Sequence, residues 1–494
     1  MKKESIWTKN LKFKNIIKLN KDIDVDVLII GGGITGLTTA YYLKDSNLNV
    51  CIVEKNYIGM GVTSKTTGKI NYLQETIYSD LTSKYSFETA KNYYESQRYA
   101  INKIKKIIEN ENIKCNFDNV ESYIFTNDKN EINKIKKEKI ILEKLNCKVK
   151  EHKSISINLK SKYAISVNDT YVFHPIKFLH SLKNICEKNN IKIYEQTKIL
   201  NIKKENNSYI CNTEKNIIKA KKVIIACHYP FFLIPYMMPL KVYNEKSYIT
   251  ASITNKYKRE TFITSKIPTK SIRYHKEKDP YIIYLSNSHS ISNNLNIKSN
   301  FNKTLKEVKK LKLHPKYIWS NEDLITVDKI PYIGKIEKNN NNLLLGTGYN
   351  TWGMTNGILA GCILSDMVLG KYNKYESLTD PLRVINIVNT GNILINIGKS
   401  AKGFIQTKVN KNKNKNWYNK NIKFETRNEK NIAIYNDGKK EHIVYSTCPH
   451  MKCTLIFNET EKTWDCPCHA SRFDLDGKCI KGPSNYDISY KEKD

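Results

Sequence analysis

The stretch Asp24-Val-Asp-Val-Leu-Ile-Ile-Gly31-Gly32-Gly33-Ile-Thr-Gly36-Leu-Thr-Thr-Ala40 constrains this chain more than any other, because it prescribes a strand, a tight turn and a helix in immediate succession. Val25 to Ile30 is a short β-branched apolar run suited to a buried parallel strand, and Leu37 to Leu43 continues with helical spacing. Between them, Gly31 permits the turn, Gly33 lets backbone approach a pyrophosphate at the helix N-terminus, and Gly36 lets the helix pack closely on the strand. A second apolar strand, Val50 to Val53, ends at Glu54, about 20 residues past the turn, where a carboxylate can accept ribose hydroxyls. Strand, turn, helix, second strand and terminal acid together predict a dinucleotide-binding α/β unit.

The loop after Glu54, Gly59 to Lys69, is rich in small residues and hydroxyls, and Thr63, Thr67 and Lys69 are expected cofactor contacts. From Ile77 to about Asn146 the pattern reads as helical, with Ile101, Ile104, Ile107 and Ile108 on one face. An amphipathic helix is expected over His174 to Cys186, and Lys222 to Ala226 returns as a buried strand. Residues 245–320 alternate like an antiparallel sheet, within which Arg273, Tyr274 and His289 are candidates to face a substrate. Farther on, Asp328 to Gly334 precedes the strand Leu343 to Leu345 and the glycine loop Gly346-Thr-Gly348-Tyr-Asn-Thr-Trp352-Gly353-Met354, which opens a helix. Backbone N–H groups and a positive helix end are thereby aimed at something electron-rich, as a reduced flavin ring is. Trp352 is a further substrate-site candidate.

The glycine turn with Glu54, the Thr-rich loop, the strand ending at Ala226, and Gly334, Gly348, Gly353 and Met354 together resemble the D-amino-acid oxidase and glycine oxidase superfamily of FAD-dependent oxidoreductases. The resemblance implies a doubly wound, Rossmann-like FAD domain built from discontinuous segments, an antiparallel-sheet substrate domain over the flavin, and oxidation of a C–N bond. It implies FAD contacts at Gly31, Gly33, Gly36, Glu54, Thr63, Thr67, Lys69, Gly334, Gly348, Gly353 and Met354. One departure matters. Members that oxidise amino acids usually carry an Arg just before the segment matched by Asp328 to Gly334, whereas this chain has Trp319-Ser-Asn-Glu322-Asp323. Carboxylates cannot clamp a carboxylate, so an ordinary amino acid is a doubtful substrate unless Arg273 reaches in.

Five of the twelve cysteines crowd between Cys448 and Cys479. The two loops Cys448-Pro-His450-Met-Lys-Cys453 and Cys466-Pro-Cys468-His469 offer thiolates and imidazoles that satisfy either a Rieske-type [2Fe-2S] cluster or a zinc site. Trp464, Asp465, Ser471, Phe473 and the Gly482-Pro483-Ser484 turn make the surroundings resemble a Rieske domain. By that resemblance Cys448 and Cys466 bind the inner iron, His450 and His469 the exposed one, and Cys453 and Cys468 form a disulfide between the loops. Phe473 replaces a usual Tyr, which implies a lower potential than respiratory Rieske centres have. The whole chain is similar to a bacterial family of FAD-dependent oxidoreductases with a C-terminal Rieske domain.

Lys and Arg number 82 against 48 Asp and Glu, a formal charge of +34, yet lysine is spread along the whole chain rather than gathered on one face. No specific nucleic-acid partner is expected from that pattern. Residues 1–21 read as an N-terminal extension without an apolar run of signal-peptide length, and no later run is long enough to span a membrane. A cytoplasmic location is therefore expected. The predicted organisation is an oxidoreductase domain over 22–382, with FAD segments near 22–76, 170–244 and 321–372 and substrate segments near 77–169 and 245–320. A linker over 383–425, with a docking helix within 385–405, leads to a Rieske domain over 426–494. The expected activity is oxidation of a small organic donor, an amine or amino-acid derivative. Electrons would then leave singly through the cluster, at its exposed histidine edge, to an external one-electron acceptor such as a ferredoxin-like protein or a quinone. The alternatives are a reductase with reversed flow and a redox-sensing or electron-transfer module.

Overall fold

The first strand, β1 (Ile23–Ile30), is apolar on both faces and lies in the middle of a sheet. The computed structural model that shows this describes every residue except 10, 12–15, 158, 231–240, 267, 292–296, 385–420, 451, 469 and 491–494. In chain order, β2 (Val50–Val53), β3 (Lys69–Ile70), β4 (Asp118–Thr126), β5 (Lys150–His152), β6 (Tyr163–Val172), β7 (Lys192–Tyr194), β8 (Asn201–Glu205) and β9 (Ser208–Asn212) follow. Next come β10 (Ile217–Ile225), β11 (Val242–Ile253), β12 (Glu260–Thr264), β13 (Ser271–His275), β14 (Tyr281–Ser290), β15 (Pro315–Thr326), β16 (Tyr332–Glu337) and β17 (Asn340–Thr347).

One sheet has the order β16-β17-β10-β1-β2-β7, with parallel pairing from β17 through β7 and the hairpin β8-β9 extending from β10. Alternation along β1 sends Val27 and Ile29 into one core, and Leu28 and Ile30 into another. The first core also takes Leu37 and Ala40 from the helix Ile34–Leu43, Leu179 from the helix Pro175–Lys188, and Ile358 and Leu359 from the helix Gly353–Val368. This is the doubly wound layer expected of the glycine turn.

The second sheet runs β15-β11-β14-β13-β12-β4-β6-β3, with β5 beside β6. It is antiparallel apart from the parallel pair β12 and β4. Two readings of the sequence need correction here. Residues 77–146 are not continuously helical, because β4 lies among them; its run Val120 to Phe125 is β-branched and aromatic between charged neighbours that obscured it. β15 also continues to Thr326, so the covering sheet reaches past residue 320 into a segment assigned to the FAD layer. The first residues are part of the fold as well: Ile6 and Trp7 are buried, and Lys2 bridges to Tyr317.

The C-terminal module pairs a three-stranded sheet, β18 (Ile422–Arg427), β19 (Lys430–Asn436) and β20 (Glu441–Tyr445), with a four-stranded one, β21 (Ile456–Asn458), β22 (Thr463–Asp465), β23 (Arg472–Phe473) and β24 (Cys479–Lys481). Trp464, Phe457, Phe473 and Val444 close its core. The helix expected within 385–405 and most of the expected linker lie outside the described residues.

Candidate functional site

A long cleft runs along the C-terminal ends of β1, β2, β10 and β17, where open α/β sheets bind ligands. Gly31, at φ +116°, turns the chain out of β1, and a Cβ there would meet the Ala226 carbonyl oxygen at 2.8 Å. Gly36 is tighter still, since its Cβ would stand 1.9 Å from the Gly31 carbonyl oxygen; it packs helix on turn rather than lining the cleft. The helices Ile34–Leu43 and Gly353–Val368 both begin at this cleft without a side-chain cap, so their first N–H groups and positive ends face it. Such a cradle fits a pyrophosphate at Gly33 and an electron-rich ring at Gly353 and Met354. The Glu54 carboxylate accepts from Gly32 N–H at 2.9 Å and from Asn56 N–H at 2.8 Å, and burial holds its pKa above the usual range. Thr63 lines the cleft and accepts from Ile34 N–H at 3.4 Å; Gly348 lines it too. Gly334 does not, and packs against Pro381.

A second, smaller cavity adjoins the first, both bordered by Asn321, Asp323 and Met354. Thr67, Lys69 and Trp352 belong here rather than to the cleft, together with Glu75, Glu245 and Ser247. The Lys69 ammonium donates to Ser271 Oγ at 2.7 Å and to the Phe262 carbonyl at 3.2 Å, and burial, aided by Arg273, pushes its pKa down to about 7. Burial and the facing Glu245 push Asp323 up to about 7.

Three proposed substrate contacts have other work. Arg273 is fully buried, donating to the carbonyls of Thr67 (2.8 Å), Gly68 (2.6 Å), Phe173 (3.2 Å) and Tyr274 (3.2 Å), with its plane over Trp7. It fixes the loop after the helical turn Val62–Lys65 and reaches neither cavity. Tyr274 is core, packed with Phe262 and Tyr284, while His289 bonds the Tyr248 hydroxyl at 3.0 Å. Facing a sheet's interior and facing its ligand look alike in a local pattern.

The C-terminal module closes one side of the cleft, with Arg472, Ile480, Lys481, Gly482 and Asn485 in its lining. Between module and sheet lies a buried network. Lys246 Nζ stands 3.3 Å from Glu322, 3.2 Å from Glu461 and 3.5 Å from Asp465; Arg472 reaches Asp465 at 3.0 Å and Glu461 at 2.9 Å; Lys481 pairs with Glu322. Burial alone would lower the Lys246 pKa, but the surrounding carboxylates hold it above its ordinary value. None of these residues was singled out for this role from sequence. The adjacent carboxylates Glu322 and Asp323 are the available signal, and only the pairing of β11 with β15 gives it meaning.

Within the module Cys448 and Cys466 are buried, and Cys453 and Cys468 are joined by a disulfide. The sulfurs of Cys453, Cys466 and Cys468 lie within 4.8 Å of one another, which brings the two loops together. Ser471 Oγ accepts from Ser484 N–H at 2.9 Å, tying the Gly482 to Ser484 turn to the second loop. A buried pair of thiolates, from Cys448 and Cys466, with imidazole from His450 fits the donor set of a Rieske cluster. His469 lies outside the described residues. His450 is half-buried, its ring 6.4 Å from that of Tyr229, which lines the cleft. His450, the described histidine of the expected edge, thus lies beside a residue of the cleft.

The model of the family described as FAD dependent oxidoreductase matches residues 26–367. This chain belongs to that family. Residues 408–490 match the Rieske [2Fe-2S] domain, so this FAD dependent oxidoreductase has FAD and a [2Fe-2S] cluster as its cofactors and carries an electron-transfer module. The chain is 30% identical over 497 residues to the YhfW protein of Bacillus subtilis (strain 168), whose name describes a Rieske 2Fe-2S iron-sulfur protein, covering 97% of this chain and 96% of that one. It is 20% identical to the gamma-glutamylputrescine oxidoreductase of Escherichia coli (strain K12), covering 75% and 89%. Glycine oxidase from Geobacillus kaustophilus shares the fold at TM-score 0.62 and 15% identity, over 74% of this chain and 100% of that one. Among the described residues, no helix is long and apolar enough to cross a membrane.

Proposed function

We propose that this oxidoreductase takes electrons from a small organic donor at a C–N bond and passes them singly through its Rieske cluster to an external one-electron acceptor, a ferredoxin-like protein or a quinone, in the cytoplasm. The observation that carries the reading is the shared cleft: the module that holds the cluster ligands also lines the cavity that fits FAD, with Tyr229 between the cleft and His450. Similarity to a gamma-glutamylputrescine oxidoreductase supports an amine-derived donor.

In this reading Gly31, Gly33, Glu54, Thr63, Gly348, Gly353 and Met354 hold FAD, while Gly36 packs the first helix on its turn and Gly334 packs against Pro381. Cys448 and Cys466 hold the inner iron, and His450 and His469 the outer one. Flavin accepts two electrons as hydride, whereas the cluster accepts one. Lys246 keeps the module seated through Glu461 and Asp465, and Lys481 through Glu322, while Arg472 braces the first two carboxylates from within the module; that seating excludes water from the side of the cleft that Arg472 and Lys481 line.

The test is anaerobic mixing of oxidised protein with candidate amines, followed by optical and EPR spectroscopy. The reading expects flavin bleaching and then the signal of a reduced Rieske cluster. Bleaching without that signal, in a protein whose cluster dithionite reduces, would overturn it.

A further inference from the structure

Lys65 ends the helical turn Val62–Lys65 and is pinned against β15, where its carbonyl accepts Trp319 Nε1–H at 2.9 Å. It lines the FAD cleft and also a small cavity bordered by Ser5, Ser320 and Glu461, so it stands where cleft, covering sheet and C-terminal module meet. The charges that face its ammonium are Arg472, Lys481, Glu461 and Glu322. Burial and the two cations push its pKa down to about 8 against the pull of the two carboxylates.

Those carboxylates are occupied. Glu461 receives Ser320 Oγ–H at 2.8 Å, Asn458 Nδ2–H at 2.8 Å and Arg472 at 2.9 Å, with Lys246 3.2 Å away, and Glu322 is held between Lys246 and Lys481. Three cations answer three carboxylates in that network, and Lys65 adds a fourth positive charge whose ammonium has no hydrogen bond or ion pair among the described residues. His228 also lines the cleft with a buried Nε2 that makes no hydrogen bond among the described residues, but burial pushes this imidazole down to about 3 and leaves it neutral. Lys55 and Lys198 line the cleft next in sequence to Glu54 and to Thr197, whose N–H bonds the Glu54 carbonyl at 2.9 Å, which places them with the ribose-binding acid.

A buried ammonium without an ion pair is costly to the fold, and the cost is relieved when negative charge enters the same cleft. The pyrophosphate of FAD has its own cradle at Gly33 and the uncapped start of the helix Ile34–Leu43. The charge that comes and goes is that of the ring, because the two electrons and one proton that a donor delivers as hydride leave it one unit more negative. We propose that the Lys65 ammonium is the counter-charge for that reduction, and so sets the potential at which the flavin takes electrons. The inference rests on the electron-transfer reading above and names the residue that tunes its first step.

The experiment is an anaerobic dithionite titration of holoenzyme with reference dyes, the flavin followed by absorption and the cluster by EPR. The flavin's reduction equilibrium is expected to fall at least about tenfold in Lys65→Met and in Lys65→Gln, a drop of about 30 mV in its two-electron midpoint potential, while Lys65→Arg stays within about threefold of the parent. An unchanged flavin potential in either neutral variant that keeps FAD overturns the inference. Loss of FAD from both neutral variants overturns it too, because Lys65 would then serve the binding of the cofactor rather than its reduction. An equal fall in Lys65→Arg would assign the effect to packing instead of charge, and a fall confined to the cluster would move the counter-charge into the module; each is a contradiction. The titration needs no amine, so the two readings can fail separately. If the potential falls as expected but no amine bleaches the parent's flavin, the counter-charge stands and the donor reading falls. If an amine bleaches the flavin and the cluster signal follows while Lys65→Gln titrates like the parent, the electron route stands and the counter-charge falls.

Discussion

The two faces of the β11–β15 strand pair differ in one respect that organises the molecule. On one face Lys246 meets Glu322, and three cations with three carboxylates from two domains form a closed network. On the other, one residue along, Glu245 faces Asp323, carboxylate against carboxylate. Neighbouring residues on a strand point to opposite faces, so a single sequence stretch supplies both environments. Opposite charges set against one another across the strands hold domains together, whereas like charges so placed shift one another's protonation.

Removing the centre of the matched face has the largest expected effect. Lys246→Met leaves Glu322, Glu461 and Asp465 with too little positive charge, and loss of one partner from such a network costs about 3–5 kcal/mol. Urea unfolding should show the loss, and limited proteolysis should release the C-terminal module. An unchanged denaturation midpoint would mean that the two faces are not different in kind. Arg273→Lys comes next, at about 2–3 kcal/mol, because an ammonium cannot span the carbonyls of Thr67, Gly68 and Phe173. Its signature is lower stability with flavin bleaching by a donor amine preserved; bleaching lost in a folded variant would return Arg273 to the substrate site.

The face that sets Glu245 against Asp323 should respond to pH. Asp323 titrates near 7 in the fold, against 3.8 as its ordinary value. The folded protein therefore holds more protons than the unfolded chain between those values, and stability should fall as pH rises through that window, by on the order of 2 kcal/mol between pH 5 and 7. Asp323→Asn should flatten that fall, measured by urea denaturation at both pH values; a slope equal to that of the parent would place the titrating group elsewhere. Ser247→Ala is the smallest change. With no partner for its hydroxyl among the described residues, the substitution should move stability by less than about 0.5 kcal/mol. A larger stability loss would show that Ser247 is already satisfied in the fold.

The same contrast explains what could be read before the fold was known. Gly31, Gly33, Glu54 and the loops bearing Cys448, His450 and Cys466 declare themselves because their chemistry depends on neighbours within a few tens of residues. Arg273, Tyr274 and His289 were polar residues in a sheet segment, and nothing local says whether such a residue meets a ligand, a loop carbonyl or the core. Glu245 and Asp323 are far apart in sequence and become a pair only through the register of β11 on β15. The place of Thr67 and Lys69 after the ribose-binding strand points to the FAD cleft, yet β3 joins the covering sheet and carries Lys69 into the second cavity. The absent Arg in Trp319-Ser-Asn-Glu-Asp323 was legible as a departure, though what stands in its place was not.

The central claim is that the docked module receives electrons within the same molecule. Photochemical reduction of the flavin without any amine, followed by rapid-freeze EPR at several protein concentrations, tests it most directly. The account predicts that the cluster signal rises as a first-order process whose rate does not depend on concentration, and that Lys481→Glu, which sets two carboxylates against each other at Glu322, slows it. A rate proportional to protein concentration would contradict it, because electrons would then be passing between molecules rather than across the shared cleft.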